Sequence, residues 1–153
     1  SRYGGAWRSY VYVNRAAYAE HLALVKGDLR APGPIMVRMH RLSVFRDLLG
    51  DKRDSHVGEL QASMRMIGKE GRGVVVLIRE PWVSSMSETL RAPDGQQQGE
   101  DPALRDYGVG AQILLDLGVQ DMVLLTNSSR TIVGLEGYGL RVLERRTIQV
   151  GDI

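Results

Sequence analysis

The sequence predicts an α/β fold in which helices flank one mixed β-sheet, with α+β character in the amino-terminal half. Consecutive strand-like segments fill the first part of the chain, whereas helical and strand-like segments alternate after residue 103. A third observation is the apolar run at residues 74–78 (VVVLI), which lacks alternation as a strand covered on both faces does. Together these patterns predict a single domain over residues 1–153.

Three strands are predicted before the first helix. Residues 7–15 alternate and are rich in Tyr and Val, residues 20–29 end at a Gly-Asp turn, and residues 35–41 follow a Pro-Gly-Pro breaker. Apolar side chains then recur at three- and four-residue spacing over residues 57–69, which predicts an amphipathic helix. The glycines after it end the helix before the buried strand at residues 73–80.

The composition of the chain changes at the start of its second half, where Pro, Gly and Gln become frequent. Residues 80–102 combine three prolines, two glycines and three consecutive glutamines, which predicts a flexible loop inside the domain. A helix over residues 105–118 is predicted to end at Gly118, because glycine favours the left-handed geometry there. A strand at 119–126, a short helix within 127–139 and a final strand at 140–150 complete the prediction.

Composition excludes several classes of protein. The chain has no cysteine, which excludes disulfides and thiolate metal sites. Its longest apolar run is far shorter than the roughly 20 residues that a membrane-spanning helix needs. The formal net charge is +2, and the cations are interleaved with acids, which argues against nucleic-acid binding. A cytoplasmic location is the resulting expectation.

Residues 37–60, VRMHRLSVFRDLLGDKRDSHVGEL, have the composition of a binding loop. A strand ends in cations and a histidine, a polar stretch follows, and then a helix begins, which is where α/β proteins usually place their ligands. Arg38 and His40 share one face of the strand because side chains alternate, and Arg41 lies on the other face. The pair is a candidate anion site, and a solvated strand end is the alternative.

Three blocks near the carboxyl terminus, RDYGVGAQILLDLGV, LLTNSS and GLEGYGL, occur in an order that resembles the GTP cyclohydrolase II family. The upstream segments HLALVKGD, VRMH and GKEGRGVVVLIR extend the resemblance over nearly the whole chain except residues 80–102. The resemblance implies the fold of that family. It also implies the family's role, which is to open GTP in the first committed step of riboflavin synthesis.

The resemblance implies a zinc site, from which this sequence departs. The family holds zinc with three cysteines in the loop after the V-H motif, where the metal is a Lewis acid and activates water. The corresponding positions here are Ser43, Asp54 and His56. Asp and His are competent zinc ligands, but neutral Ser is a poor one. We therefore expect no zinc and no other cofactor, with a substitute metal site as the alternative.

Other positions of the family's machinery are also replaced. The Ser and Glu before the first metal ligand are here Arg41 and Leu42, and EPWVSSM stands where the family has its triphosphate segment. The family's proposed proton acceptor is here Ala103, and the Lys after the L-L-T-N motif is Thr131.

Other positions match the family. The resemblance marks Arg105 as a remnant of the catalytic arginine that is proposed to form a covalent phosphoryl link; a structural pairing with a neighbouring aspartate is the alternative. It also marks Arg38, His40 and Thr126 as a remnant phosphate or nucleotide cleft.

These departures favour a degenerate GTP cyclohydrolase II-like domain with a structural or regulatory role. The resemblance implies a homodimer and a preceding 3,4-dihydroxy-2-butanone 4-phosphate synthase domain, which fits the absence of Met at Ser1. Two alternatives remain: an active cyclohydrolase with altered metal ligands, or a phosphate- or nucleotide-binding module of new specificity.

Overall fold

A computed structural model describes residues 1–16, 18–79, 85–91, 104–128 and 130–151, without the side chains of residues 85, 104–106, 130 and 131. Six strands form one sheet: β1 (Arg8–Asn14), β2 (Ala19–Lys26), β3 (Ile35–Arg41), β4 (Gly73–Ile78), β5 (Asp121–Leu125) and β6 (Arg141–Arg146). The helices in the described residues are α1 (Glu59–Glu70), α2 (Ser85–Arg91), α3 (Leu104–Asp116) and α4 (Arg130–Glu136).

The sheet has the strand order β1-β2-β4-β3-β5-β6 and is mixed, which confirms the predicted fold class. β1 and β2 are antiparallel to their neighbours, whereas β4, β3, β5 and β6 run parallel to one another. The carboxyl ends of the four parallel strands therefore meet at one edge of the sheet, and the polar loops that follow them are brought together.

Two apolar clusters cover the faces of the sheet. On one face α3 and α4 pack on the odd-numbered residues of β3, and on the other face α1 packs on Met36. All six residues of β4 are buried, as its unbroken apolar run predicts. This double covering holds the central parallel strands and fixes the positions of the loops at their carboxyl ends.

Most predicted elements occur close to their predicted bounds. Gly118 follows α3 with φ +85°, as predicted for a residue that ends a helix in the left-handed region. The last helix and strand are shorter than the segments predicted for them. α4 lies within the predicted range, and in the turn before it the Thr126 hydroxyl accepts a hydrogen bond from the Ser128 N–H at 3.0 Å.

Two short elements were not predicted. α2 lies within residues 80–102, in a stretch free of Pro and Gly, and the rest of that segment is outside the described residues. A π-helical turn, Val44–Leu48, follows β3, and Ser43 caps it by accepting a hydrogen bond from the Arg46 N–H at 3.3 Å. None of the helices in the described residues is both long and apolar enough to cross a membrane.

Gly73 starts β4 where the backbone of β3 and the side chain of Ile67 leave no room for a methyl group. A Cβ there would lie 2.7 Å from the carbonyl oxygen of Met36 and 2.6 Å from Cγ2 of Ile67. We expect Gly73→Ala to lower the free energy of unfolding by about 1–3 kcal/mol, the usual cost of overpacking. Urea unfolding measures this, with Gly151→Ala as the control because a Cβ at Gly151 meets no atom within 4 Å. Equal stability of the two variants would contradict the close packing.

Candidate functional site

The candidate site lies at the edge of the sheet where β3 and β5 end. Arg38 and His40 project from β3 toward α1, as alternation along the strand predicts, and Nη2 of Arg38 lies 3.1 Å from Nδ1 of His40. Thr126 follows β5 at the same edge. Arg38 is 9% exposed, and His40 and Thr126 are each 2% exposed. The structure therefore brings three of the predicted residues to one edge as buried groups.

Glu59, in the first turn of α1, holds the positive charge of Arg38 inside the fold. Its Oε2 lies 3.1 Å from Nη2 of Arg38, while its Oε1 accepts hydrogen bonds from Asn127 at 2.9 Å and His56 at 3.2 Å. Burial raises the pKa of Glu59, but the hydrogen bond from His56 and the charge of Arg38 outweigh that effect and bring the pKa below its usual value. The carboxylate is thus ionised at neutral pH and neutralises Arg38.

His40 links Arg38 to the loop that follows β3. Burial lowers the pKa of His40, so the imidazole is neutral at pH 7 although Asp47 opposes this shift. Its Nε2 lies 3.0 Å from Oδ2 of Asp47 and its Nδ1 lies beside a donor of Arg38. We assign the proton to Nε2, because that tautomer donates to the carboxylate and accepts from the guanidinium.

Arg46, in the π-helical turn, places a second buried guanidinium at the centre of the loop. Its Nε and Nη2 lie 3.1 and 3.2 Å from the two carboxylate oxygens of Asp47, and its Nη1 lies 3.5 Å from Oδ2 of Asp54. Nη2 also donates to the carbonyl oxygen of Arg41. The side chain of Arg46 is 6% exposed, and that of Asp47 is 7% exposed. An internal cation thus cross-links the loop to itself and to the end of β3.

The three positions that correspond to metal ligands each contact another group in the fold. The Ser43 hydroxyl accepts from the backbone of Arg46, Asp54 faces the guanidinium of Arg46, and His56 is turned to Glu59. Among the residues that the structure describes, no group of three or more His, Asp or Glu side chains is placed to hold a metal ion. These donors therefore do not fit the zinc that the fold family implies, because each of them is committed to another group.

Three residues of this network were not singled out from the sequence: Arg46, Glu59 and Asn127. For Arg46, the available signal in the sequence was the opposite charge of the adjacent Asp47, although such pairs are usually solvated. Asn127 lies in the LLTN block and bridges Glu59 to the chain after β6, accepting from the Ile148 N–H at 2.9 Å. Its role depends on partners far along the chain, which local pattern does not reveal.

For the remaining predicted residues, the structure describes either the backbone alone or nothing. Arg105 belongs to the first turn of α3, but its side chain is outside the described residues. Ala103 and the side chain of Thr131 are outside them as well. The catalytic assignment of Arg105 therefore stays a prediction.

Comparison with known proteins identifies the family. The sequence model of the GTP cyclohydrolase II family matches residues 1–147. The chain belongs to the GTP cyclohydrolase II family. It is 40% identical over 159 residues to "Riboflavin biosynthesis protein RibBA" of Bacillus subtilis (strain 168), covering 95% of this chain and 40% of that protein. The protein of the same name from Chlorobium phaeovibrioides is 39% identical over 158 residues, covering 95% of this chain and 38% of that protein.

The chain spans only about two fifths of the length of these relatives. The match supports a GTP cyclohydrolase II-like domain related to proteins of riboflavin biosynthesis. It also confirms the family that the three sequence blocks indicate.

The buried carboxylate of Asp47 predicts a specific loss of stability in acid. Burial raises the pKa of Asp47, but hydrogen bonds from His40 and Arg46 outweigh this and hold it at about 2. The pKa of an unfolded Asp is about 3.9, so this stabilisation is fully present above about pH 4 and is lost as the pH falls toward about 2. We expect Asp47→Asn to be about 2 kcal/mol less stable at neutral pH, with a difference that shrinks between about pH 4 and pH 2.

Urea unfolding at several pH values measures this difference. Asp121→Asn is the matched control, because Asp121 pairs with Arg141 at an exposed site and should change stability by less than about 1 kcal/mol. A difference between Asp47→Asn and the parent chain that stays constant through this range would contradict the lowered pKa.

Proposed function

We propose that this chain is a GTP cyclohydrolase II-like domain without zinc or GTP hydrolase activity, and that it has a structural or regulatory role in a riboflavin-biosynthesis protein. The observation that carries the proposal is the guanidinium of Arg46 inside the loop where the family holds its metal. Asp47 and Asp54 neutralise it, and the Ser43 hydroxyl caps its backbone. A divalent cation in the same loop would be repelled by the guanidinium of Arg46 unless that side chain moved away.

The polar groups at the ends of β3 and β5 support the same proposal. A site that binds a triphosphate needs donors that are free to turn to it, as arginine forks are in phosphate sites. Here Arg38 is engaged by Glu59, by His40 and by the carbonyl oxygen of Leu125. A ligand at this edge would have to break a buried ion pair, which costs several kcal/mol by order of magnitude.

The role of such a domain lies in its contacts with other chains or domains. We propose that it forms a homodimer and follows a 3,4-dihydroxy-2-butanone 4-phosphate synthase domain in the same polypeptide. The support is the similarity to the RibBA proteins, of which this chain matches two fifths. Light scattering on the purified chain tests the dimer, and a monomer at micromolar concentration would overturn that part.

The direct test of the loss of activity is metal analysis together with a GTP turnover assay. We expect zinc well below one ion per chain after purification in zinc-containing medium, and no release of formate from GTP. A cysteine-containing GTP cyclohydrolase II assayed in parallel shows that the conditions support turnover. Stoichiometric zinc with formate release would overturn the proposal in favour of an active enzyme with altered ligands.

Arg46 itself supplies an independent test. Arg46→Met leaves Asp47 and Asp54 without their cation, and loss of one partner of a buried pair typically costs about 3–5 kcal/mol. Arg46→Lys keeps the charge but loses the planar fork, so we expect an intermediate loss. Urea unfolding with and without a metal chelator measures both, and the chelator should change neither the parent chain nor the variants.

Arg53→Met is the matched control for this test. Arg53 lies in the same loop and pairs with Asp51, but its side chain is 65% exposed, so its loss should cost less than about 1 kcal/mol. If Arg46→Met is as stable as this control, or if the chelator destabilises the parent chain, Arg46 is not what holds the loop.

A further inference from the structure

The two outer strands of the sheet differ in how they are protected from pairing with a further strand. β6 has the sequence RVLERR, in which charged residues outnumber the others, and its register with β5 is interrupted between Met122 and Val123. Charged side chains and irregular pairing are the features by which natural proteins keep an edge strand from pairing with another chain. β6 is therefore a protected edge.

β1, at the opposite edge of the sheet, lacks this protection. Its sequence, RSYVYVN, contains one charged residue, Arg8, and no proline. It pairs with β2 without a register shift, and among the described residues no strand lies on its other side. One row of its backbone N–H and C=O groups therefore faces outward, which is the arrangement that allows a further strand to pair with it.

β1 also presents apolar side chains on both faces of the sheet. Val11 is opposite Leu22 of β2, which packs on the apolar cluster beneath α1, so Val11 and Val13 lie on the α1 face. They are 62% and 63% exposed. Tyr10 lies on the α3 face and is 42% exposed. A strand beside β1 would cover apolar side chains on both faces, and burial of apolar surface is the main favourable term in most protein association.

The sequence of β1 suits pairing with a second copy of itself. Tyr10-Val11-Tyr12 reads the same in both directions, so an antiparallel pair centred on Val11 places each Tyr10 opposite Tyr12 of the other copy. Arg8 is then opposite the uncharged Asn14 of the other copy, so no like charges are opposite each other. A two-fold dimer requires a surface that is complementary to itself in this way.

The length of β1 selects this register. Val11 is the middle residue of the strand, so only a pair centred on Val11 matches every position of β1 with a position of β1 in the other copy. A pair centred on Tyr10 or Tyr12 would also keep one Tyr–Tyr pair instead of two. The Tyr12 hydroxyl donates to Oδ2 of Asp116 at 2.8 Å, which holds this ring in place in the single copy and reduces the entropy lost on association.

We propose that β1 is the surface through which two copies of this chain associate, by antiparallel pairing of β1 with β1 of the second copy about a two-fold axis at Val11. The sheet then continues from one copy into the other. This inference rests on the homodimer of the proposed function and names the surface that forms it. The Arg46 loop takes no part in the pairing, so the inference does not depend on the loss of zinc.

Sedimentation equilibrium of the whole chain and of Val11→Lys tests the surface. The substitution places two like charges opposite each other at the axis, so we expect the dissociation constant of the dimer to rise by about tenfold or more. Because Val11 is exposed in the single copy, the variant should fold, which far-UV circular dichroism checks. Leu143→Lys is the matched control, because Leu143 is 54% exposed on the other edge strand and should leave the dissociation constant unchanged.

A pair of opposite charges tests the two-fold axis itself. Val11→Glu alone should weaken the dimer as Val11→Lys does. An equimolar mixture of the two variants should form a heterodimer that is tighter than the homodimer of either variant, because opposite charges then meet at the axis. A mixture that associates no more tightly than the separate variants would overturn the placement of Val11 at the axis.

A single introduced cysteine measures the register without adding charge. The chain has no cysteine of its own. Residues opposite each other in antiparallel strands have Cα atoms about 4.5–5.5 Å apart, so Val11→Cys should form a covalent dimer under mild oxidation. Val13→Cys is the matched control: Val13 is opposite Ser9 of the other copy, so its two copies lie roughly 14 Å apart and should cross-link far more slowly. Equal cross-linking rates would overturn this register.

The results separate failure of this surface from failure of the proposed homodimer. A parent chain that is monomeric at micromolar concentration would overturn both, and this is the result expected if β1 instead pairs with a strand of a different protein. A parent dimer that Val11→Lys and Leu143→Lys leave equally intact would overturn β1 as the surface, while the homodimer would stand.

Discussion

The buried positive charge of Arg46 is the constraint on which the loop after β3 depends. Removing a guanidinium from water is costly, and the cost is offset only where carboxylates and carbonyl oxygens surround it. Both carboxylate oxygens of Asp47 contact the guanidinium, and Asp54 pairs with it from the other end of the loop. The carbonyl oxygen of Arg41 accepts a hydrogen bond from it. Arg46 thus holds this loop through a charge that the loop itself supplies.

The same charges tie the loop to the rest of the fold. His40 contacts both Asp47 and Arg38, and Arg38 pairs with Glu59 at the start of α1. Glu59 then reaches β5 and the chain after β6 through Asn127. A negative charge in the first turn of a helix is also favoured by the helix dipole. One network thus joins three strand ends and a helix start, and its members stabilise one another rather than face solvent.

The same contacts set the protonation states of the network. Here the pKa of His40 is lowered by burial, and that of Asp47 is lowered by its partners. At neutral pH the imidazole of His40 is therefore neutral and the carboxylate of Asp47 is ionised, which matches their pairing in the network. In this chain's version of the family fold, the polar groups at the carboxyl ends of β3 and β5 therefore pair with one another.

Sequence alone determined the family, the mixed α/β sheet, the positions of α1 and α3, and which residues stand at the positions that correspond to the family's metal ligands. These features follow from local periodicity, from glycines at helix ends and from motif blocks, all of which are properties of short segments. Only the tertiary structure decided which charges pair. Glu59 and Asn127 are 68 positions apart, and Tyr12 and Asp116 are 104 apart. Such contacts follow from the sheet order and from which helix covers which face, and no local pattern encodes them.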